Sequence, residues 1–293
     1  MIVTMDIFSG MPNPSWKLND KDARRLTEQL AGKALSSADA TDGSLGYRGY
    51  VITSESDDEA TAAGLPAEFR LGGNLPGDLL TPRGLALPSL SDEASLDASL
   101  WLLQTVQGAA DDDLLSYVEG VVKAQSAGEL AAPPKKGRKV EEPAFAAPCV
   151  IQNTAYNPGF WNTPQVQPVN NCYNYAMNYR SDTFAQPGRI SGHMYTALTC
   201  ANVGAAADWD GCRSTCSGSS KTVALVIWPG RDFHWYRKHS NGFWGHKPGS
   251  TAARNTDNRN RVIGGALTPA NCDRGPYTSF CGYRFSPVGM KVK

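Results

Sequence analysis

The cysteines of this chain are confined to one half, and that constrains its folding more than any other feature. None precedes Cys149; then come Cys172, Cys200, Cys212, Cys216, Cys272 and Cys281. All four histidines, at 193, 234, 239 and 246, also fall after that point. Cross-linking, metal ligation by thiol or imidazole, and thiol chemistry therefore belong to residues 149–293. The density suggests disulfides, and seven is odd, so at least one thiol is left over if the rest pair. Disulfides imply an oxidising compartment. Yet the start, Met-Ile-Val-Thr-Met-Asp, has no basic segment ahead of an apolar one and does not read as a secretory signal. Non-classical export and reduced cytosolic thiols both remain open.

Charge narrows the partners. Lys plus Arg and Asp plus Glu both count 28, for a net charge of zero. This gives no electrostatic ground for nucleic acid or an anionic membrane surface as partner. No stretch approaches the ~20 apolar residues of a membrane span.

The pattern predicts an α+β protein in three parts. Residues 1–125 read as a small α+β domain of unknown role. A strand runs over Ile2–Phe8 until Pro12-Asn13-Pro14 breaks it, and Asn19 caps a helix over 20–31 with Leu26 and Leu30 on its apolar face. A second strand spans 46–53. Two helices follow, one from Ser91 through Leu103 and one from Asp111–Asp113 through Val122. Asp57-Asp58-Glu59 reads as a solvated loop rather than a metal cluster. Residues 126–148, rich in Pro, Ala and charge, read as an extended linker, and the basic run Lys135–Lys139 as part of that tether. Residues 149–293 form the cysteine-rich domain, with few predicted helices.

Cys172 follows Asn170-Asn171, both good helix caps, and precedes Tyr-Asn-Tyr-Ala-Met-Asn-Tyr, which can wind into a helix. A thiol in the first turn feels the helix dipole, and an imidazolium nearby lowers its pKa further, favouring the nucleophilic thiolate. The bland alternative is a half-cystine or a buried thiol. The apolar run 221–228 reads as a central strand. Asp232–Lys238 and Phe243–Lys247 then form a hairpin about Asn241-Gly242. Register decides whether His234 and His246 meet. A two-residue loop puts them on opposite faces, whereas a three-residue loop or bulge puts both on one face.

This order resembles the NlpC-type and CHAP-type papain-like cysteine hydrolases over residues 170–250. Those carry a helix-initiating Cys, a His on a following strand, and a third polar residue on the next, commonly a His about twelve positions on. Asn171 and Tyr173-Asn174 stand where that family has Asp and Ser-Gly around its cysteine. The resemblance implies a papain-like α+β domain, its Cys-bearing helix packed on an antiparallel sheet, and a thiol-dependent hydrolase of amide or peptide bonds, possessing no cofactor. It implies that Cys172 attacks the carbonyl, His234 shuttles the proton and His246 orients it, with Asn255 or Asp257 as alternative third residues. Cell-wall peptides or an effector-type role follow by analogy, with a peptide or amide substrate as partner.

Competing readings stay beside this one. The contrasting class is a disulfide-stapled glycan- or peptide-binding module without catalysis, in which Cys172 is paired. Tyr156, Phe160, Trp161, Trp235, Tyr236, Phe243 and Trp244 are candidates for its groove, although hairpin aromatics more often pack a core. His193 with Cys200, Cys212 and Cys216 is a zinc candidate, but disulfides explain those cysteines more simply and no metal is expected. His239 reads as a solvated loop residue. Gln165 and Gln167 are weak candidates for an oxyanion donor.

Overall fold

In a computed structural model, residues 1–33, 35, 43–56, 64–73, 93–126 and 145–293 are described. The predicted linker core, Asp57–Glu59 and Lys135–Lys139 lie outside them. The protein is α+β, with one antiparallel and one mixed sheet among the described residues. It divides into two compact units. The first comprises Met1–Ile7, Asn13–Asp42 and Tyr47–Ala132; the second comprises Phe8–Pro12, Gly43–Gly46 and Pro133–Lys293. The Pro-flanked segment 8–12 thus belongs with the cysteine-rich half, although it interrupts the first unit in sequence.

In the first unit, β1 (Ile2–Met5), β2 (Ser15–Lys17), β3 (Tyr50–Thr53) and β4 (Glu68–Leu71) form an antiparallel sheet in the order β2-β1-β3-β4. Alternation sends Val3, Met5, Ile52 and Phe69 into the core. Helix α1 (Asp20–Leu30) starts where Asn19 accepts the Asp22 N–H at 2.9 Å, and it buries Leu26 and Leu30 as their spacing predicts. Helices α2 (Glu93–Leu102) and α3 (Asp112–Ser126) follow. β2 and β4 are too short to stand out by periodicity. Asp6 is buried between Arg48 and Arg70, at 2.6 and 3.0 Å. Burial opposes its charge, but the two guanidinium groups prevail and lower its pKa to about 2.

In the second unit, β5 (Phe145–Ile151), β6 (Cys216–Trp228), β7 (Asp232–Lys238), β8 (Trp244–His246) and β9 (Ser279–Pro287) form one sheet. β6 is its centre. Ser220 pairs with both Ile151 and Pro287, so parallel β5 and antiparallel β9 lie on opposite edges of β6. β7 pairs with β6 after a tight turn through Gly230, and β8 pairs with β7. Three helices complete the unit: α4 (Pro158–Trp161), α5 (Cys172–Met177) and α6 (Cys200–Trp209). Helix α6 is absent from the expected elements, because its Ala-rich sequence carries little apolar periodicity.

The sheet separates two cores. On one face Val223, Leu225, Ile227, Phe233 and Trp235 pack with Cys172, Tyr173, Ala176 and Met177 of α5. On the other, Ala224, Val226 and Tyr236 pack with Trp244, Ile263, Tyr277 and Tyr283. Disulfides Cys149–Cys216 and Cys200–Cys281 tie β5 to β6 and α6 to β9. They span 67 and 81 residues of sequence. Loops of that size correspond to about 4 kcal/mol each in the chain-entropy account. Cys172, Cys212 and Cys272 are free and buried.

Asp6 gives a test of the first unit. A carboxylate whose folded pKa lies below its unfolded one stabilises the fold above about pH 4, and this contribution, about 2 kcal/mol, disappears as pH falls through 2. Asp6→Asn should lower stability by about 3 kcal/mol at neutral pH by leaving buried guanidinium charge uncompensated. It should also flatten the acid limb of the stability curve, as measured by urea unfolding between pH 2 and 7.

Candidate functional site

Helix α5 is short and wholly buried, so its ends must be satisfied from within. Asn171 accepts from the N–H groups of Tyr173 and Asn174, while Asn174 returns a bond to the Asn171 N–H at 3.0 Å, a reciprocal capping box. The remaining amide atoms are also used. Asn171 donates to the carbonyls of Gly10 and Ala185, both at 2.9 Å. Asn174 donates to Tyr179 O and Ser181 Oγ. Asn170 bonds Val166, Ser181 and Asp182. Lys247, fully buried, donates to the carbonyls of Gln167, Asn170 and Gly249. The Asn-rich stretch around Cys172 is thus an internal fastening.

The two histidines meet. β7 and β8 pair Tyr236 with His246 and Lys238 with Trp244, leaving 240–242 as a three-residue loop with Gly242 at φ +85°. That register puts His234 and His246 on one face, with His234 Nε2 2.9 Å from His246 Nδ1. His246 Nε2 lies 2.8 Å from the Thr256 carbonyl, which only accepts. His246 therefore donates there through Nε2 and accepts at Nδ1. His234 in turn donates through Nε2 and accepts at Nδ1, from the Ser9 hydroxyl. The chain of bonds runs one way: Ser9, His234, His246, Thr256. Its three side chains are no more than 1% exposed.

The Cys172 thiol and His234 Nδ1 both meet the Ser9 side chain. Phe233 and Trp235 face α5, so alternation along β7 turns His234 toward the other face. The Cys172 thiol bonds the Phe233 carbonyl at 3.8 Å, and the two ring nitrogens of His234 hold Ser9 and His246. Burial, reinforced by the Asp232 charge, raises the thiol pKa far above its ordinary value, the reverse of the shift expected at a helix start. Burial likewise pushes Cys212 up to about 11 and Cys272 up to about 12. It lowers His246 to about 3, with Arg254 adding, and His239 to about 4, with Arg237 adding.

The other sequence candidates are placed as follows. Asn255 contributes its carbonyl to the Ile263 N–H. Asp257 is held by the backbone N–H groups of Arg259, Arg261 and Asp273 and by the Arg261 guanidinium, so it organises its own loop. His239 is buried rather than solvated: Tyr175 OH lies 2.8 Å from its Nε2 and Thr154 O 3.1 Å from its Nδ1. Trp161, Trp235, Tyr236 and Trp244 are core residues, which removes most of the aromatic groove. Cys200 and Cys216 are consumed by disulfides and exposed His193 stacks on Trp209, so the zinc alternative loses its ligands. Gln165 is exposed.

Sequence reasoning missed Ser9 and Asp232. The carboxylate of Asp232 accepts the N–H groups of Ser9 (2.5 Å), Gly10 (3.1 Å) and Met11 (2.9 Å) and the Tyr277 hydroxyl. Burial raises its pKa to about 6 against the pull of these donors. Phe-Ser-Gly-Met-Pro carries a turn signature, but no local pattern names its distant partner.

The class defined by this geometry is a disulfide-stapled α+β protein with its histidine chain sealed in the interior. Insoluble matrix shell protein 1 of Ruditapes philippinarum is 45% identical over 136 residues, spanning 45% of this chain and 90% of that protein. The chain belongs to the family of that shell matrix protein. No family model matches the sequence, and no solved structure matches the fold. The relative overturns the expected thiol-dependent hydrolase, with its protease, amidase and effector attributes: it is named as a matrix component, not an enzyme.

Two outcomes test this geometry. In native protein at pH 8, iodoacetamide should label Cys172 at least ~100-fold more slowly than in urea-unfolded protein, read by peptide mass spectrometry. A histidine whose folded pKa is lowered stabilises the fold above its unfolded pKa, and that stability is lost as pH falls toward the folded value. Between pH 6.5 and 3 His246 accounts for a loss of up to about 4–5 kcal/mol. His246→Gln should remove about one proton from the slope of stability against pH in this range.

Proposed function

We propose that this chain is a structural component of an insoluble extracellular matrix. The observation that carries the reading is its 45% identity to a shell matrix protein across 90% of that protein's length. Two features of the second unit agree with it. The Asn171 side chain and the His234–His246 pair are spent on internal bonds, and its disulfides suit an oxidising exterior. In this role Cys172, His234 and His246 hold the interior together.

Fractionation tests the proposal. The chain, expressed with a tag in its own source, should remain with the matrix residue after high-salt and mild-detergent extraction. Cys172→Ala, which removes one buried thiol, should fractionate identically. Complete recovery in the salt-soluble fraction overturns the reading.

A further inference from the structure

Arg237 lies on β7, on the face that receives α5, and is 1% exposed. Its guanidinium carbon stands 4.6 Å from the centre of the Tyr175 ring, which covers one side of the group. Its Nε and Nη1 are sealed from solvent and have no hydrogen-bond partner among the described residues. Two positions earlier on the same face, Trp235 Nε1 is also buried and unpartnered.

The neighbouring charges make this arrangement more demanding. Lys221, also buried, spends its ammonium on the carbonyls of Met177 and Pro287, and burial together with the Arg237 charge draws its pKa down to about 8. His239 donates through Nδ1 to Thr154 O, so its Nε2 accepts the Tyr175 hydroxyl proton. No carboxylate among the described residues forms an ion pair with Arg237. A guanidinium does not shed its proton in a protein, and an uncompensated buried charge is strongly destabilising. Water would satisfy the N–H groups but not the charge.

We propose that Arg237, with Lys221 behind it, forms the cationic wall of an internal site for a single halide ion. A monatomic ion fits the donors that remain. An oxyanion needs donors for each of its oxygens, whereas the His239 and Tyr175 protons and two of the three Lys221 N–H groups are already committed, leaving the guanidinium, the Trp235 indole and one ammonium proton.

The test compares the full chain in sodium chloride or bromide with sodium gluconate, an anion too bulky to enter, at matched ionic strength. Halide should raise the melting temperature by a few degrees in a saturable way, and Arg237→Met should abolish that dependence. Crystals of the unaltered protein soaked in bromide should show an anomalous peak beside the guanidinium, which decides the matter if the variant fails to fold. A bromide-free site holding only water, or the same halide dependence in the variant as in the parent, overturns the proposal.

Discussion

The second unit depends on one carboxylate. Asp232, at the first position of β7, is buried and still accepts three consecutive backbone N–H groups and a phenol. Without those donors, its burial in any charged form would be prohibitive. With them, it fixes Ser9–Met11 against the start of the strand, and other bonds follow from that placement. The Gly10 carbonyl receives Asn171 and Gln186, the Ser9 carbonyl receives Gly249, and the Ser9 hydroxyl meets His234. Gly10 permits this closeness: a Cβ there would run into the Phe233 ring. A five-residue segment distant in sequence therefore supplies the first member of the histidine chain, whose tautomers the Thr256 carbonyl sets from the other end.

What the sequence revealed was local. Asn19 before α1, Asn171 before α5 and the Asn-Gly loop after β7 act through neighbours within a turn, so residue type and spacing suffice to find them. Even the face shared by His234 and His246 followed from counting, once loop length was specified. What stayed hidden was long-range. Ser9 and His234 are separated by 225 positions and Ser9 and Asp232 by 223, and nothing in either segment encodes the other. His239 was misjudged for a related reason. It follows the last residue of β7, where solvent is the ordinary expectation, but Tyr175 and Tyr156 cover it.

The misreading of Cys172 has an energetic cause. A helix start favours a thiolate by about 0.3–1 kcal/mol at an exposed site, and α5 has only six residues. Full burial works against the thiolate by several kcal/mol unless a cation compensates. Here the Asp232 carboxylate repels it, and the opposing pull of the Lys247 ammonium is the smaller effect. The same short pattern, cap residue followed by cysteine, thus describes an activated nucleophile or an inert core thiol, and solvent access decides which. The Asn residues around it carry the structural explanation, because each has its donors and acceptors filled from the interior.

This saturation also bears on the proposed matrix role. Four of the seven cysteines close intramolecular pairs and the other three are buried, with thiol pKa values raised by burial. Thiol–disulfide exchange proceeds through an accessible thiolate, so neither condition for linking one copy to another is met while this unit stays folded. The disulfides then stabilise the module itself by restricting its unfolded chain. On the proposed reading, attachment to a surrounding matrix falls to non-covalent contacts, or to residues elsewhere in the chain. Candidates on this unit's surface include Trp209, 63% exposed and stacked on His193, with exposed Ile190 and Met194 nearby in sequence. An interior that leaves no reactive thiol exposed suits a durable part better than a catalyst, whose nucleophile must meet its substrate.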